Sequence, residues 1–132
     1  MFKLIKILNS GVNVPEPMLY KKDKATVFAI GTPVKLSGGK LVNVGSTTAP
    51  THIIAEKDAS GEGVYAFVIN PDMVFETVVS MDPSELSVGD AVTLEIEDGA
   101  AIAVTATTDG GVAKIYDLSD ACEIGDTVYV RF

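Results

Sequence analysis

Apolar and polar residues alternate at residues 91–96 and 127–132, which is the spacing of a β-strand rather than of a helix. The apolar stretches are rich in valine, isoleucine, threonine and aromatic residues, and turn-forming residues separate them every ~8–12 positions. No long stretch carries apolar residues at the three- and four-residue intervals of an amphipathic helix. The pattern predicts an all-β protein of about ten short strands.

The turns allow individual strands to be placed. Gly38 and Gly39 predict a tight hairpin, because glycine adopts a positive φ without steric cost, and Asp98 with Gly99 predicts a second. At most one short helical turn is expected, at residues 82–86, where an aspartate can cap and a proline fits the first helical position. Strands are expected at residues 25–30, 34–36, 41–44, 52–56, 64–69, 73–79, 91–96, 101–107, 112–118 and 127–132.

One local pattern occurs three times, starting at Ile30, Val88 and Ile124. An apolar residue is followed by glycine and then by either threonine or aspartate. After any one residue comes valine, and after any one further residue comes a second apolar residue. Each copy places a tight turn before a strand whose valine and last apolar residue are expected to point inward. The copies are unevenly spaced, so they are not repeats of one unit. They are typical of chain corners in a small β-barrel or compact β-sandwich, which is the predicted architecture.

The first 24 residues differ from the rest in pattern and charge. Five apolar residues near the start could form one strand, residues 9–17 contain two prolines that favour extended or irregular backbone, and a lysine group follows. We therefore expect an extended basic N-terminal arm at residues 1–24 and an acidic barrel-like body at residues 25–132. The arm residues expected at a protein interface are Phe2, Leu4, Ile5, Ile7, Leu8, Lys21, Lys22 and Lys24.

The net charge of −8 is unevenly divided between these two parts. Residues 1–24 hold five lysines against two acids, a balance of +3, while the other 108 residues hold 16 acids against 5 bases, a balance of −11. An acidic body repels nucleic acid and anionic membranes, and an arm of +3 binds phosphate only weakly. The arm is better suited to lie on an acidic protein surface.

Several residue groups could carry chemistry, and each has a simpler structural interpretation. Glu95 and Glu97 could act as paired carboxylates, but strand alternation explains both as a solvated face. Residues 56–62 resemble a calcium loop without its spacing or its closing glutamate, and residues 38–40 lack the spacer and helix of a phosphate-binding loop. These groups predict neither a metal site nor a cofactor site.

The single histidine and single cysteine are equally uninformative about catalysis. His52 has no serine or aspartate partner in its sequence context, and Cys122 lies beside Asp120 and Glu123, a setting that does not activate a thiol. Tyr65, Phe67 and Phe75 could stack on bases, but no lysine or arginine lies near them in sequence, so core packing is expected. No catalytic residues are predicted, and no enzymatic function.

Neither a membrane segment nor a secretion signal is indicated by the apolar runs. The longest are only a few residues, far below the roughly 20 that cross a bilayer. Lys6 interrupts the apolar start of the chain before a signal peptide's apolar region could form. We expect synthesis in the cytoplasm without export.

Three stretches of the body carry a family resemblance. Residues 29–36 lead into the glycine hairpin, residues 64–77 form a central apolar stretch, and residues 124–132 close the chain. Together they resemble small phage and prophage head proteins of the capsid decoration or cement type, over residues 25–132. The resemblance implies a β-rich body on the outside of an icosahedral head, often trimeric, with an extended arm bridging subunits of the major capsid protein.

The expectation is therefore a non-enzymatic virion structural protein, made in the bacterial host cytoplasm and located on the capsid surface. Its expected partners are the major capsid protein and two further copies of itself, with no nucleic acid, membrane, cofactor or small-molecule substrate. Two alternatives belong to other classes. One is another virion part, such as a head fibre or tail-associated barrel, or a β-rich ligand-binding module, and the other is a small barrel enzyme.

Overall fold

The computed structural model describes residues 1–8, 15–56 and 61–132, and every regular element within them is a strand. The all-β prediction is confirmed. The described residues contain no helix long and apolar enough to cross a membrane. The strands are β1 (Lys3–Ile7), β2 (Met18–Lys22), β3 (Pro33–Ser37), β4 (Lys40–Asn43), β5 (His52–Ile54), β6 (Gly63–Val68), β7 (Met73–Val78), β8 (Ala91–Val92), β9 (Leu94–Glu97), β10 (Ala100–Val104), β11 (Ala113–Asp117) and β12 (Thr127–Arg131).

Five strands form an antiparallel sheet in the order β1-β7-β12-β11-β8. Side chains on one face of this sheet, including Phe75, Val128 and Val130, are fully buried in the larger core of the protein. The opposite face, here called the outer face, carries Glu76 of β7 directly beside Tyr129 of β12. Along β12, valines alternate with polar or aromatic residues. The valines therefore point into the core, and the residues between them lie on the outer face.

A second group of five strands closes into a barrel in the order β2-β4-β3-β5-β6. Four of its pairs are antiparallel, and β2 closes the barrel by running parallel to β4. The predicted hairpin between β3 and β4 is confirmed, with positive φ at both Gly38 and Gly39. The second predicted hairpin joins β9 to β10 through Asp98 and Gly99, also at positive φ.

Strand β5 joins the two parts of the fold. Ile53 packs into the larger core, whereas the next residue, Ile54, points into the barrel and packs with Phe28, Leu41 and Val64. Successive side chains on a strand point to opposite faces, so this one short strand supplies both cores. The barrel and the five-stranded sheet are therefore packed against each other rather than joined by a linker.

The expected division into an arm and a body is wrong for the described residues. β1 pairs with β7 of the body, and Phe2 is only 2% exposed and contacts the ring of Phe132, 5.5 Å away between centroids. β2 is a barrel strand paired with β6. An apolar strand that pairs with the free edge of a sheet gains backbone hydrogen bonds and buries its apolar side chains. This gain explains why β1 is part of the fold and not a free arm.

A glycine makes the close approach of β1 possible. The backbone N–H of Phe2 donates to the carbonyl oxygen of Gly31 at 3.1 Å. Gly31 has φ +83°, and a Cβ added to it would lie 2.6 Å from the carbonyl oxygen of Phe2. Any other residue would displace the N-terminal segment as well as strain the turn.

Some predicted elements differ from those observed. Residues 25–30 are not a strand, and the predicted strand at 91–96 is divided into β8 and β9, which belong to different sheets. Residues 82–86 form a turn instead of a helix, with the N–H of Leu86 donating to the carbonyl of Pro83. In the three corner copies the inward valine is always buried, but Leu36, the last apolar residue of the first copy, is 46% exposed.

Candidate functional site

The residues predicted to form an interface are divided between the two sheets. On β1, Leu4 and Ile7 pack against the larger core, whereas Ile5 is exposed. Leu8, just after β1, is also exposed, and its N–H donates to the carbonyl of Asp72. The apolar half of the predicted interface is therefore mostly structural, whereas Lys21 and Lys22 lie on β2 of the barrel and Lys24 lies in the turn after it.

Lys22 differs from its neighbouring lysines because its side chain is buried in the barrel. β2 alternates, so Tyr20 and Lys22 share the inward face while Leu19 and Lys21 point outward. The Lys22 ammonium donates to the carbonyl of Thr26 at 2.6 Å. Burying this long side chain with its ammonium hydrogen-bonded gives it a structural role in closing the barrel.

The outward residues of β2 and their neighbours form a mixed basic and apolar surface, here called the barrel patch: Leu19, Lys21, Lys24, Lys40 and Tyr65. Leu19 lies directly opposite Tyr65 of β6, and Lys21 lies beside Lys40 of the parallel strand β4. Leu19 is 63% exposed and Tyr65 is 43% exposed. The patch borders a cleft of about 640 Å³, which Asp23 and Glu62 also line.

Charges within the barrel patch are only partly compensated. Lys40 pairs with Asp23 at 2.6 Å, and this hydrogen bond and charge raise the pKa of Lys40. Within the described part of the chain, Lys21 and Lys24 form no ion pair. Two ammonium groups beside exposed apolar side chains give this surface a positive, partly apolar character on an otherwise acidic protein.

Sequence reasoning identified Lys21 and Lys24 of this patch but missed Leu19, Lys40 and Tyr65. The core-packing prediction holds for Phe75, which is buried, and Phe67 is half-buried against the larger core. It is wrong for Tyr65, which lies on the solvent side of β6 because Val64 and Ala66 fill the barrel. The pairing of β2 with β4 and β6 joins segments distant in sequence, and no local pattern shows it.

The remaining candidate residues occupy separate places. His52 is 6% exposed, with its Nδ1 2.7 Å from the Thr51 hydroxyl and its ring edge-on to Tyr20 at 4.6 Å. Burial lowers the pKa of His52. Cys122 is exposed, and Glu95 accepts a hydrogen bond from Ser80 at 3.0 Å.

The described residues contain no candidate metal site. Residues 1–8, 15–56 and 61–132 contain no group of three or more potential metal-ligating side chains. The calcium-like loop at residues 56–62 lies largely outside the described residues. Comparison of the chain with protein-family models, curated proteins and solved structures finds no match.

Proposed function

We propose that this protein is a non-enzymatic phage or prophage capsid decoration protein that binds the outside of the mature head and stabilises it. The observation that carries the proposal is the barrel patch, a positive and partly apolar surface on an acidic all-β body. The resemblance of residues 25–132 to decoration proteins gives the same function. The protein is made in the host cytoplasm and remains on the virion.

The chemistry of the barrel patch fits an acidic protein surface. Burying an exposed leucine such as Leu19 contributes about 2 kcal/mol, and Tyr65 adds apolar area with a polar end. Lys21 and Lys24 increase the rate of association with a negatively charged protein surface and orient the protein on it. The surrounding acids repel nucleic acid, so the same surface discriminates against packaged or free DNA.

Stabilisation of the head follows from binding linkage. A protein that binds only the mature lattice stabilises it by RT ln(1 + [L]/Kd), about 2.7 kcal/mol at a concentration 100 times Kd. Three copies joined into a trimer would raise the effective concentration of each patch at its site. Residues 3–7 and 18–22 are paired with other strands of the same chain, so they are not a free arm that could bridge capsid subunits. We therefore assign contact with the capsid to the barrel patch.

Binding to heads tests the proposal. Lys21→Glu and Leu19→Ser are each expected to weaken binding to expanded, undecorated heads, assembled from the major capsid protein of the phage encoding this chain, by about tenfold. Matched controls are Lys114→Glu, an exposed lysine on β11, and Ile124→Ser, with 67% exposure close to that of Leu19. Co-sedimentation at rising salt measures the loss.

Two results would contradict the proposal at different levels. If the wild-type protein does not bind heads, the decoration function is wrong. If wild type binds but the patch variants bind equally well, the function stands and the assigned surface is wrong. Light scattering over a concentration range tests the trimer separately.

A further inference from the structure

A second surface, independent of the barrel patch, lies on the outer face of the five-stranded sheet. A pocket of about 250 Å³ is formed there by residues from four adjacent strands, β1, β7, β12 and β11, and from the turn that follows β11. Because the supporting strands are hydrogen-bonded to one another, the backbone positions that carry these side chains are fixed relative to one another. The lining residues are Ile5, Lys6, Val74, Tyr116, Asp117, Asp120 and Tyr129.

Two β-bulges direct extra side chains into this pocket. In β1 the register with β7 shifts between Leu4 and Lys6, and in β11 the register with β12 shifts between Ile115 and Asp117. The residues left without a partner are Ile5 and Tyr116, and both line the pocket. Bulges often occur where a strand redirects a side chain next to a binding site, and here two of them place side chains in one pocket.

The pocket presents hydrogen-bond donors and acceptors around an apolar floor. The Lys6 ammonium lies 3.3 Å from the Tyr116 hydroxyl and 5.5 Å from the centre of its ring. The Tyr129 hydroxyl donates to the carboxylate of Asp120 at 3.2 Å. Ile5, which is exposed, supplies the apolar surface between these polar groups, and the fully buried Val74 lies beneath it.

A hydrogen bond and partial burial shift the pKa values of two side chains in the pocket, Asp117 and Tyr129. The Asp117 carboxylate accepts the backbone N–H of Ser119 at 2.7 Å, and this hydrogen bond lowers its pKa. Burial, followed by the hydrogen bond to Asp120, raises the pKa of Tyr129. Asp117 is therefore a carboxylate and Tyr129 a neutral phenol at neutral pH, beside the side chains of Lys6, Tyr116 and Asp120.

We propose that this pocket binds one ring of a saccharide. A pyranose has adjacent hydroxyls that need both donors and acceptors, and C–H groups that pack on apolar and aromatic surface. The pocket is smaller than the ~300–1,000 Å³ that holds a drug-sized ligand, which matches a single ring. Carboxylates disfavour a phosphate, and Lys6 disfavours a cation.

The affinity for one ring should be weak and measurable by NMR. A single-ring ligand in a shallow pocket is expected to bind with a dissociation constant of roughly 1–10 mM. The probes are four methyl glycosides, of glucose, galactose, mannose and N-acetylglucosamine, titrated into the ¹⁵N-labelled full chain. At least one should shift the backbone resonances of β11 and β12 around Tyr116 and Tyr129 in a saturable way.

Matched variants separate the pocket from the rest of the surface. Tyr129→Phe and Asp120→Asn each remove part of one hydrogen bond and should weaken glycoside binding about five- to tenfold. Asp109→Asn makes the same carboxylate-to-amide change on an exposed residue outside the pocket and should leave binding unchanged. Retained amide spectra show that each variant is folded.

Three results would overturn the proposal: no saturable shift with any of the four glycosides, equal binding by the pocket variants, or saturable binding of n-butylammonium in place of the glycosides. The proposal does not depend on the capsid function. Pocket variants should still bind heads, and barrel-patch variants should still bind the glycoside, so failure of one leaves the other standing.

Discussion

The imidazole of His52 is enclosed at one end of the barrel, between Tyr20 and the hydroxyl of Thr51. Desolvation disfavours its charged form and lowers its pKa below that of an exposed histidine. The unfolded chain therefore binds a proton more readily in the range just below about pH 6.5. We expect the free energy of unfolding to fall as the pH is lowered from 7 to 5.5.

The variant His52→Gln provides the control, because it cannot take up this proton. Its stability, measured by urea denaturation, should change less over the same range, and NMR titration of this single histidine should give a pKa below the exposed value. The aspartates with lowered pKa, at positions 82, 117 and 126, lose stabilisation only at lower pH, below their unfolded value. If the stability of wild type and of His52→Gln depends equally on pH, His52 is not the cause of the loss of stability between pH 7 and 5.5.

At the scale of elements, β1 is an integral strand, and its two faces should respond differently to truncation. Phe2→Ala removes a buried ring that contacts Phe132, and should destabilise the protein by about 3 kcal/mol. Ile5→Ala changes a side chain that is 43% exposed and should cost less than ~1 kcal/mol. Urea denaturation measures both. Similar small losses for the two variants would show that the N-terminal strand does not belong to the core.

Elements with local signals were predictable, and elements that depend on distant partners were not. The glycines at 38 and 39 and the pair Asp98–Gly99 specify their hairpins through backbone conformation alone. β2 was missed because its lysines and the prolines before it suggest an exposed segment, whereas its hydrogen bonds come from β6, more than 40 residues later. The saccharide pocket depends on two bulges, and a register shift leaves no pattern in a single sequence.

Charge acts on the molecule as a whole. Acidic residues outnumber basic ones by eight, so like charges repel within the compact state. Raising sodium chloride from about 20 mM to about 500 mM shortens the screening length from roughly 20 Å to about 4 Å. We expect the melting temperature to rise by about 2–5 °C, measured by circular dichroism.

A variant with less negative charge tests the cause of this salt effect. Glu97→Gln combined with Asp109→Asn removes two exposed acids and should reduce the rise in melting temperature. Potassium chloride should act like sodium chloride, because screening depends on ionic strength. A melting temperature that stays constant or falls with salt would show that attractive pairs outweigh the general repulsion.

The central place of β12 in its sheet determines the order in which the protein can assemble during synthesis. All five barrel strands lie between residues 18 and 68, so they are available early to a chain emerging from the ribosome. The larger sheet needs residues 127–131 between β7 and β11, and β1, made first, must wait for β7. We expect that the barrel closes on the nascent chain before the sheet that covers its Ile53 side is complete, so that chaperones and neighbouring nascent chains can reach this apolar surface during that interval.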